Sequence, residues 1–416
     1  MRTFCTEGPV DPKLNYYVPR TALIAEGLKK VEQWRYFTIF APRQSGKTTY
    51  FQFLIEAIKR EKPDWLPVWV SFEAYGDIEL SYFLSSLRDR ILRGTELPEE
   101  TVLDFYNMDD IALKLREVAR FQKKEWVIIV DEIEGLKNLK VLNGFLHLIR
   151  SIYHEKQAIG LRSVILTGVS NITGIIQDTA SPFNIADQIQ VPYFTREEVY
   201  DLLAQHERET GQLFENPVKE GIYEQTLGQP GLVNALARDL VEKECPNGEN
   251  IELRSLYTTL DDFTEYYIDK NIANIIAKAK LYPKTVEEIL FEEPLPFKIT
   301  QEDIGVLYAN GVIDRDSEGN CYIPVPIYKK ALYHHFKPKT NGERRHFKSP
   351  IETYKKYVDE RGLLDVTKLL WRYIDYVKNR GNIIFSQGKA SEGVYHYNID
   401  AFFSTYAEFA DAKCFV

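Results

Sequence analysis

Gly46, Lys47 and Thr48 stand in a row near the start of the chain, and they carry its most specific chemical signal. They close the octet Ala41-Pro42-Arg43-Gln44-Ser45-Gly46-Lys47-Thr48, which Thr49 follows. A loop of this kind can aim several backbone N–H groups at one anion, and a helix starting near Lys47 adds the positive end of its dipole. Gly46 lets the backbone approach a phosphate more closely than a side chain would allow. Lys47 reaches the β- and γ-phosphates, and the Thr48 hydroxyl ligates magnesium. The octet fits the Walker A pattern except at its first position, where Ala41 replaces glycine. That residue ends the preceding apolar run, so the departure is mild. The motif implies ATP with Mg2+, held by Arg43, Gln44, Ser45, Gly46, Lys47, Thr48 and Thr49.

A second constellation supplies acid. Val127-Ile128-Ile129-Val130-Asp131-Glu132 is an apolar run ending on two carboxylates, a Walker B pattern. Asp131 would join Thr48 at the metal by holding its water shell, and Glu132 would polarise the attacking water. Glu134 is the alternative base, or else a solvated helix residue. An Asp-Glu pair can also simply cap a helix, but here the two motifs occur in compatible order.

Such groups need rigid supports. Short apolar runs at residues 36–41, 65–72, 126–130 and 163–167 predict strands, and helical spacing at 48–60, 111–121 and 142–153 predicts helices between them. The unbroken run at 126–130 suits a strand covered on both faces. Strands alternating with helices imply right-handed crossovers and a parallel sheet. The expected fold is α/β, a P-loop three-layer α/β/α parallel sheet over residues 1–192. Thr195-Arg196-Glu197-Glu198 then reads as a helix N-terminus, and residues 193–280 read as helices broken at Gly228-Gln229-Pro230-Gly231. Residues 281–340 run helix (301–309), strand (312–314), turn, strand (321–324) and helix, the order of a winged helix. Residues 341–416 read as a basic linker and a helical C-terminal region.

Bulk properties are those of a soluble globular protein, with 44% hydrophobic and 27% charged residues. A net charge of −9 makes the chain no obvious nucleic-acid binder overall, although a local basic patch could still serve. Cys5, Cys245, Cys321 and Cys414 are far apart and form no CxxC pair, which favours reduced thiols over a zinc site or disulfides. There is no long apolar N-terminal run, and no stretch approaches a membrane span. The cytoplasm is the expected location, with no membrane partner.

The order of these motifs resembles the AAA+ and STAND branch of P-loop ATPases. Tyr16-Tyr17-Val18-Pro19-Arg20 looks like the N-terminal box that packs beside the adenine in that branch, and Gly228-Gln229-Pro230 looks like the GxP element of its helical lid. The runs YYVPR, APRQSGKTT, SPFNIADQI and GQPGLVNALAR resemble an "AAA-like domain" family of prokaryotic ATPases, over about residues 1–340. The resemblance implies nucleotide contacts from Arg20 and Pro230. It also implies a sensor near the γ-phosphate after the strand Leu166-Thr167-Gly168: Asn171, with Thr167 in reserve and a plain helix cap as the alternative. Gly231 stands near the place of the lid arginine of origin-recognition relatives; Arg238 could substitute, or be a surface residue. No arginine finger is evident, which favours a slow ATP-driven conformational switch over a hexameric motor. A nucleic-acid-linked ATPase and an ATP-binding scaffold without turnover are the alternatives.

The same resemblance extends to the C-terminal region. Tyr395 to Phe403 looks like the first helix of a PD-(D/E)XK nuclease domain, and Lys413 to Val416 like the start of its first strand, with the catalytic carboxylates not reached. A helical dimerisation or adaptor tail that binds a protein partner is the alternative. The basic stretch at 329–356, which includes Arg344, Arg345 and Lys348, could contact nucleic-acid phosphates beside the winged helix, or be only a solvated linker. His334, His335 and His346 lack acidic or thiol partners at ligand spacing and read as surface residues.

Overall fold

In the computed structural model of the chain, residues 2–40, 45–95, 97, 101–168, 186–266, 269–291, 294–336, 365–384, 396, 399–400 and 402–403 are described. Five strands form one sheet: β1 (Phe37–Phe40), β2 (Trp65–Ser71), β3 (Glu125–Asp131), β4 (Leu161–Gly168) and β5 (Asp187–Ile189). Their order is β2-β3-β4-β1-β5, and every pairing is parallel.

Five helices cover the sheet: α1 (Thr21–Glu32), α2 (Lys47–Glu61), α3 (Leu80–Gly94), α4 (Met108–Gln122) and α5 (Leu139–Ser151). Alternation along β3 divides them between the two faces. Trp126, Ile128 and Val130 join a core with Phe83, Leu115 and Phe145 of α3, α4 and α5. Val127 and Ile129 join a second core with Ile24 of α1 and Phe51 and Leu54 of α2. β3 is therefore buried on both faces, the physical reason for its unbroken apolar sequence.

The expected strands and helices of this layer are all present, within a few residues at each end. β5, α1 and α3 were not anticipated. β5 is only Asp187-Gln188-Ile189, too short and polar to show an apolar run; pairing with β1 creates it.

Residues beyond β5 are helical: α6 (Arg196–Thr210), α7 (Asn216–Thr226), α8 (Pro230–Asp239) and α9 (Leu253–Asp261). The expected start of α6 is a full capping box, in which Thr195 accepts from the Glu198 N–H and Glu198 from the Thr195 N–H.

By contacts the chain divides into one unit of residues 1–271 and 300–311 and a second of residues 272–299 and 312–416. α10 (Lys270–Ala279) begins in the first unit and continues in the second, and α12 (Glu302–Ala309) belongs to the first. The second also holds α11 (Pro283–Phe291), a hairpin of β6 (Asp314–Arg315) and β7 (Cys321–Tyr322), and α13 (Pro326–Phe336), which packs on α11. The hairpin strands are shorter than expected, with Val312 and Ile313 buried ahead of β6. α14 (Val366–Ile384) forms a small core with Phe402, whose ring centroid lies 5.2 Å from that of Tyr373. Most of the linker and the tail after residue 403 lie outside the described residues. No described helix is long and apolar enough to cross a membrane.

Candidate active site

β1 delivers the chain into the phosphate loop, and α2 leaves it. Residues 41–44 lie outside the described residues, and Arg43 and Gln44 with them. Gly46 precedes α2 with φ 90° and ψ 14°, a conformation that L side chains resist. A Cβ there would meet no protein atom within 4 Å, so the fold's own demand for glycine is conformational rather than steric. Among the described residues no side chain caps α2, which leaves its first N–H groups and dipole open to an anion. Ser45 is fully buried, and its Oγ has no partner among the described residues. Lys47 is buried although charged, with 8% exposure. Among the described residues, the Ser45 hydroxyl without a partner and the helix N-terminus without a side-chain cap are what a phosphate chain would satisfy.

The acid side lies on β3 and β4. Asp131 is buried, and its Oδ1 accepts from Thr167 Oγ1 (3.2 Å) and from the Glu132 N–H (2.9 Å). Burial raises the Asp131 carboxyl above its usual range, while the charge of Lys47 pulls it back down most strongly. Glu132 sits at φ 50°, a left-handed turn that costs a non-glycine residue about 1 kcal/mol. Asp131 and Glu132 both line one cavity of 440 Å³ with Ser45, Lys47, Thr48 and Thr49. Glu134, the alternative base, does not line it; its carboxylate lies at Gly168, where an added Cβ would come within 2.5 Å of Oε2. Thr167, the reserve sensor, binds Asp131 instead of facing the cavity, and Asn171 lies outside the described residues.

The opposite wall is helical. Leu227 and Gly228 both take positive φ, and the Gly228 carbonyl accepts from the Phe194 N–H (2.8 Å). A Cβ on Gly228 would lie 1.9 Å from the Phe194 carbonyl oxygen. Gln229 then caps α8 through its side chain, and Pro230 takes the first helical position, where its missing N–H costs nothing. These local demands account for the Gly-Gln-Pro sequence and bring Pro230 and Asn234 to the cavity wall. Arg20 also lines the cavity, but its guanidinium is engaged by the Pro192 carbonyl (2.6 Å), Glu198 (3.4 Å) and the Phe194 ring (4.9 Å).

The N-terminal segment closes the rim. Its Cys5 N–H donates to Asn234 Oδ1 (3.2 Å) on α8, and its Val10 N–H donates to Thr49 Oγ1 (3.3 Å) on α2. Phe4 and Tyr16 pack with His206 and Phe214. Arg238 hydrogen-bonds Thr6 and does not line the cavity. Two charged lining residues had no motif to announce them, Glu73 and Lys270. For Glu73 a signal was available: like Asp131 and Glu132, it follows directly on an apolar strand run. Lys270, 3.9 Å from Glu7, had none.

Sheet order, phosphate loop and acidic strand ends define the α/β fold of P-loop ATPases. The profile of the AAA-like domain family matches residues 5–331, and the chain belongs to that family. No curated protein matches it in sequence. Among solved structures, a Walker-type ATPase of Pyrococcus abyssi is similar, with a TM-score of 0.59 and 14% identity over 79% of this chain and 99% of that one. Cdc6p from Pyrobaculum aerophilum also matches, with a TM-score of 0.43 and 13% identity over 76% of this chain and 95% of that one. At such identities the likeness to the Pyrococcus protein is one of fold.

Proposed function

We propose that the chain binds ATP with magnesium, hydrolyses it slowly, and uses the nucleotide state as a conformational switch. The observation that carries this reading is one cavity shared by an uncapped helix N-terminus, the buried Lys47 and the carboxylates of Asp131 and Glu132. The N–H groups at the start of α2 would hold phosphate oxygens, and Lys47 would meet the β- and γ-phosphates. Thr48 and Asp131 would hold magnesium, which when bound neutralises charge on the phosphates. Two protein oxygens suit an ion that takes its remaining ligands from phosphates and water. Glu132 would accept a proton from the attacking water. As the new O–P bond forms, the bond from the γ-phosphorus to the bridging oxygen breaks and ADP leaves with the electron pair. α6 to α9 would act as the lid, joined to the core through Arg20, Asn234 and the Val10–Thr49 hydrogen bond. Pro230 and Tyr17 would flank the base.

The test uses two variants, with ATP binding and phosphate release both measured. Lys47→Ala should lose most of its ATP affinity. Glu132→Gln should bind ATP normally and release phosphate at least about tenfold more slowly, the usual worth of a positioned base. Wild-type affinity in Lys47→Ala would overturn the reading, and an undiminished rate in Glu132→Gln would remove Glu132 from it.

A further inference from the structure

β2 and β3 end level, with Ser71 paired to Asp131. Beyond that point the two segments stay joined. The Phe72 N–H donates to the Asp131 carbonyl (2.8 Å), the Gly76 N–H to the Gly135 carbonyl (2.9 Å), and the Lys137 N–H to the Gly76 carbonyl (2.6 Å). Gly135 packs so closely that a Cβ there would lie 2.2 Å from the Phe72 carbonyl oxygen. The Glu73 N–H is itself held by Ser71 Oγ (3.2 Å). The segment carrying Glu73 is thus fixed to the one carrying Glu132, and both side chains line the cavity that holds Lys47. Asp131 and Glu132 line the same cavity, yet the Glu73 carboxylate has no hydrogen-bond or ion-pair partner among the described residues. Glu73 is exposed, so its carboxylate is open to water and can accept a hydrogen bond from a molecule held in that cavity.

We propose that Glu73 is the second acceptor for the attacking water, an assignment that rests on the hydrolysis reading above. A water molecule attacks in line only when a lone pair faces the γ-phosphorus. One acceptor leaves it free to rotate about a single hydrogen bond; two acceptors fix both O–H directions and so the lone pair. Glu132 takes one O–H and, on attack, its proton. Glu73 accepts from the other O–H and gains no proton; that hydrogen stays on the oxygen that becomes part of the phosphate. The γ-phosphorus exchanges its bond to the bridging oxygen for one to the water oxygen, and ADP departs with the electron pair. Glu73 touches the reacting water and not the nucleotide, so its loss should reach kcat and leave binding alone.

The experiment compares the full-length chain with Glu73→Ala, Glu73→Gln, Glu132→Gln and the Glu73→Ala/Glu132→Gln double variant. ATP–Mg2+ affinity, thermal midpoint, kcat and KM are measured for each. Glu73→Ala should lower kcat about tenfold with affinity, KM and midpoint unchanged. Glu73→Gln, whose amide oxygen still accepts, should lose less. The double variant should be no slower than Glu132→Gln alone, because the two residues act on one water. A kcat within twofold of the parent in Glu73→Ala, beside a slow Glu132→Gln, would overturn the assignment and leave the hydrolysis reading standing. A kcat loss matched by lost affinity or a lowered midpoint would also overturn it, since that is the signature of a structural role. Phosphate release by the parent no faster than by Lys47→Ala would overturn the hydrolysis reading, and this assignment with it.

Discussion

Asp131 is held between a cost and several compensations. Burial opposes its charge, whereas Lys47, the Glu132 N–H and the Thr167 hydroxyl favour it. Its carboxyl therefore titrates above the usual range in the folded chain. The stability that follows from the protonated form is full below the unfolded pKa and is lost as pH rises through the raised folded one. Magnesium in the proposed site would need the carboxylate, so metal-dependent ATP binding should weaken as pH falls through that same raised value. Thr167→Val keeps the shape and removes the donor, which raises the carboxyl further. We expect the acid limb of ATP–Mg2+ binding to move to higher pH. On that acid limb the magnesium requirement should rise about fivefold, as a lost hydrogen bond of about 1 kcal/mol implies. Calorimetric titration across pH checks both, and an unmoved limb would show that Thr167 does not tune Asp131. At this scale the sequence was most legible where chemistry is contiguous. Lys47, Thr48, Asp131 and Glu132 announce themselves through neighbours along the chain. Thr167 entered only as the reserve sensor that the family resemblance implied; its hydrogen bond to Asp131 across β3 and β4 had no signal in the sequence.

Elements owe their form here to a few backbone positions. Gly228 and Gly211 both have positive φ, 74° and 79°, but only Gly228 is crowded, with a Cβ position 1.9 Å from a carbonyl oxygen. Nothing lies within 4 Å of the same position on Gly211. Gly211→Ala should cost only the left-handed penalty, about 1 kcal/mol. Gly228→Ala adds overpacking worth another 1–3 kcal/mol or so and should loosen the turn that carries Pro230. Urea unfolding of the two variants separates the terms; equal losses would mean that the turn yields at little cost. Gly135 is the counterpart in the core, and its substitution should spread the Glu73 and Glu132 segments. The Gly-Gln-Pro run was readable as a helix break and as a family motif. Its cause, a carbonyl packed on Gly228 and a proline at the first position of α8, needed the contact with Phe194.

Across the whole molecule, the candidate site belongs to the first of the two compact units. A ligand that binds only the folded form stabilises it by about 2.7 kcal/mol at a hundredfold excess over Kd. Hydrogen exchange with ATP–Mg2+ should therefore slow in α2, in α8 and in the N-terminal segment at Cys5 and Val10. Peptides from α14 should exchange as before, and Lys47→Ala should show neither change. Slowing confined to α14 would place the ligand elsewhere.

What the sequence by itself determined was the local chemistry and the periodicity. The apolar run of β1 and the helical spacing of α2 are local, so those two elements state their own geometry. The unbroken apolar run of β3 likewise states that both of its faces are covered. What only the tertiary structure decided was which distant segments meet. The order β2-β3-β4-β1-β5 sets β2 beside β3, and so joins the segment that carries Glu73 to the one that carries Glu132. Segments near residues 5–20, 45–49 and 230–234 come together through the packing of α8 and the N-terminal segment. Strand order and helix docking are set by the burial of whole faces, summed over many side chains at large sequence separations. No single stretch of the chain carries that sum.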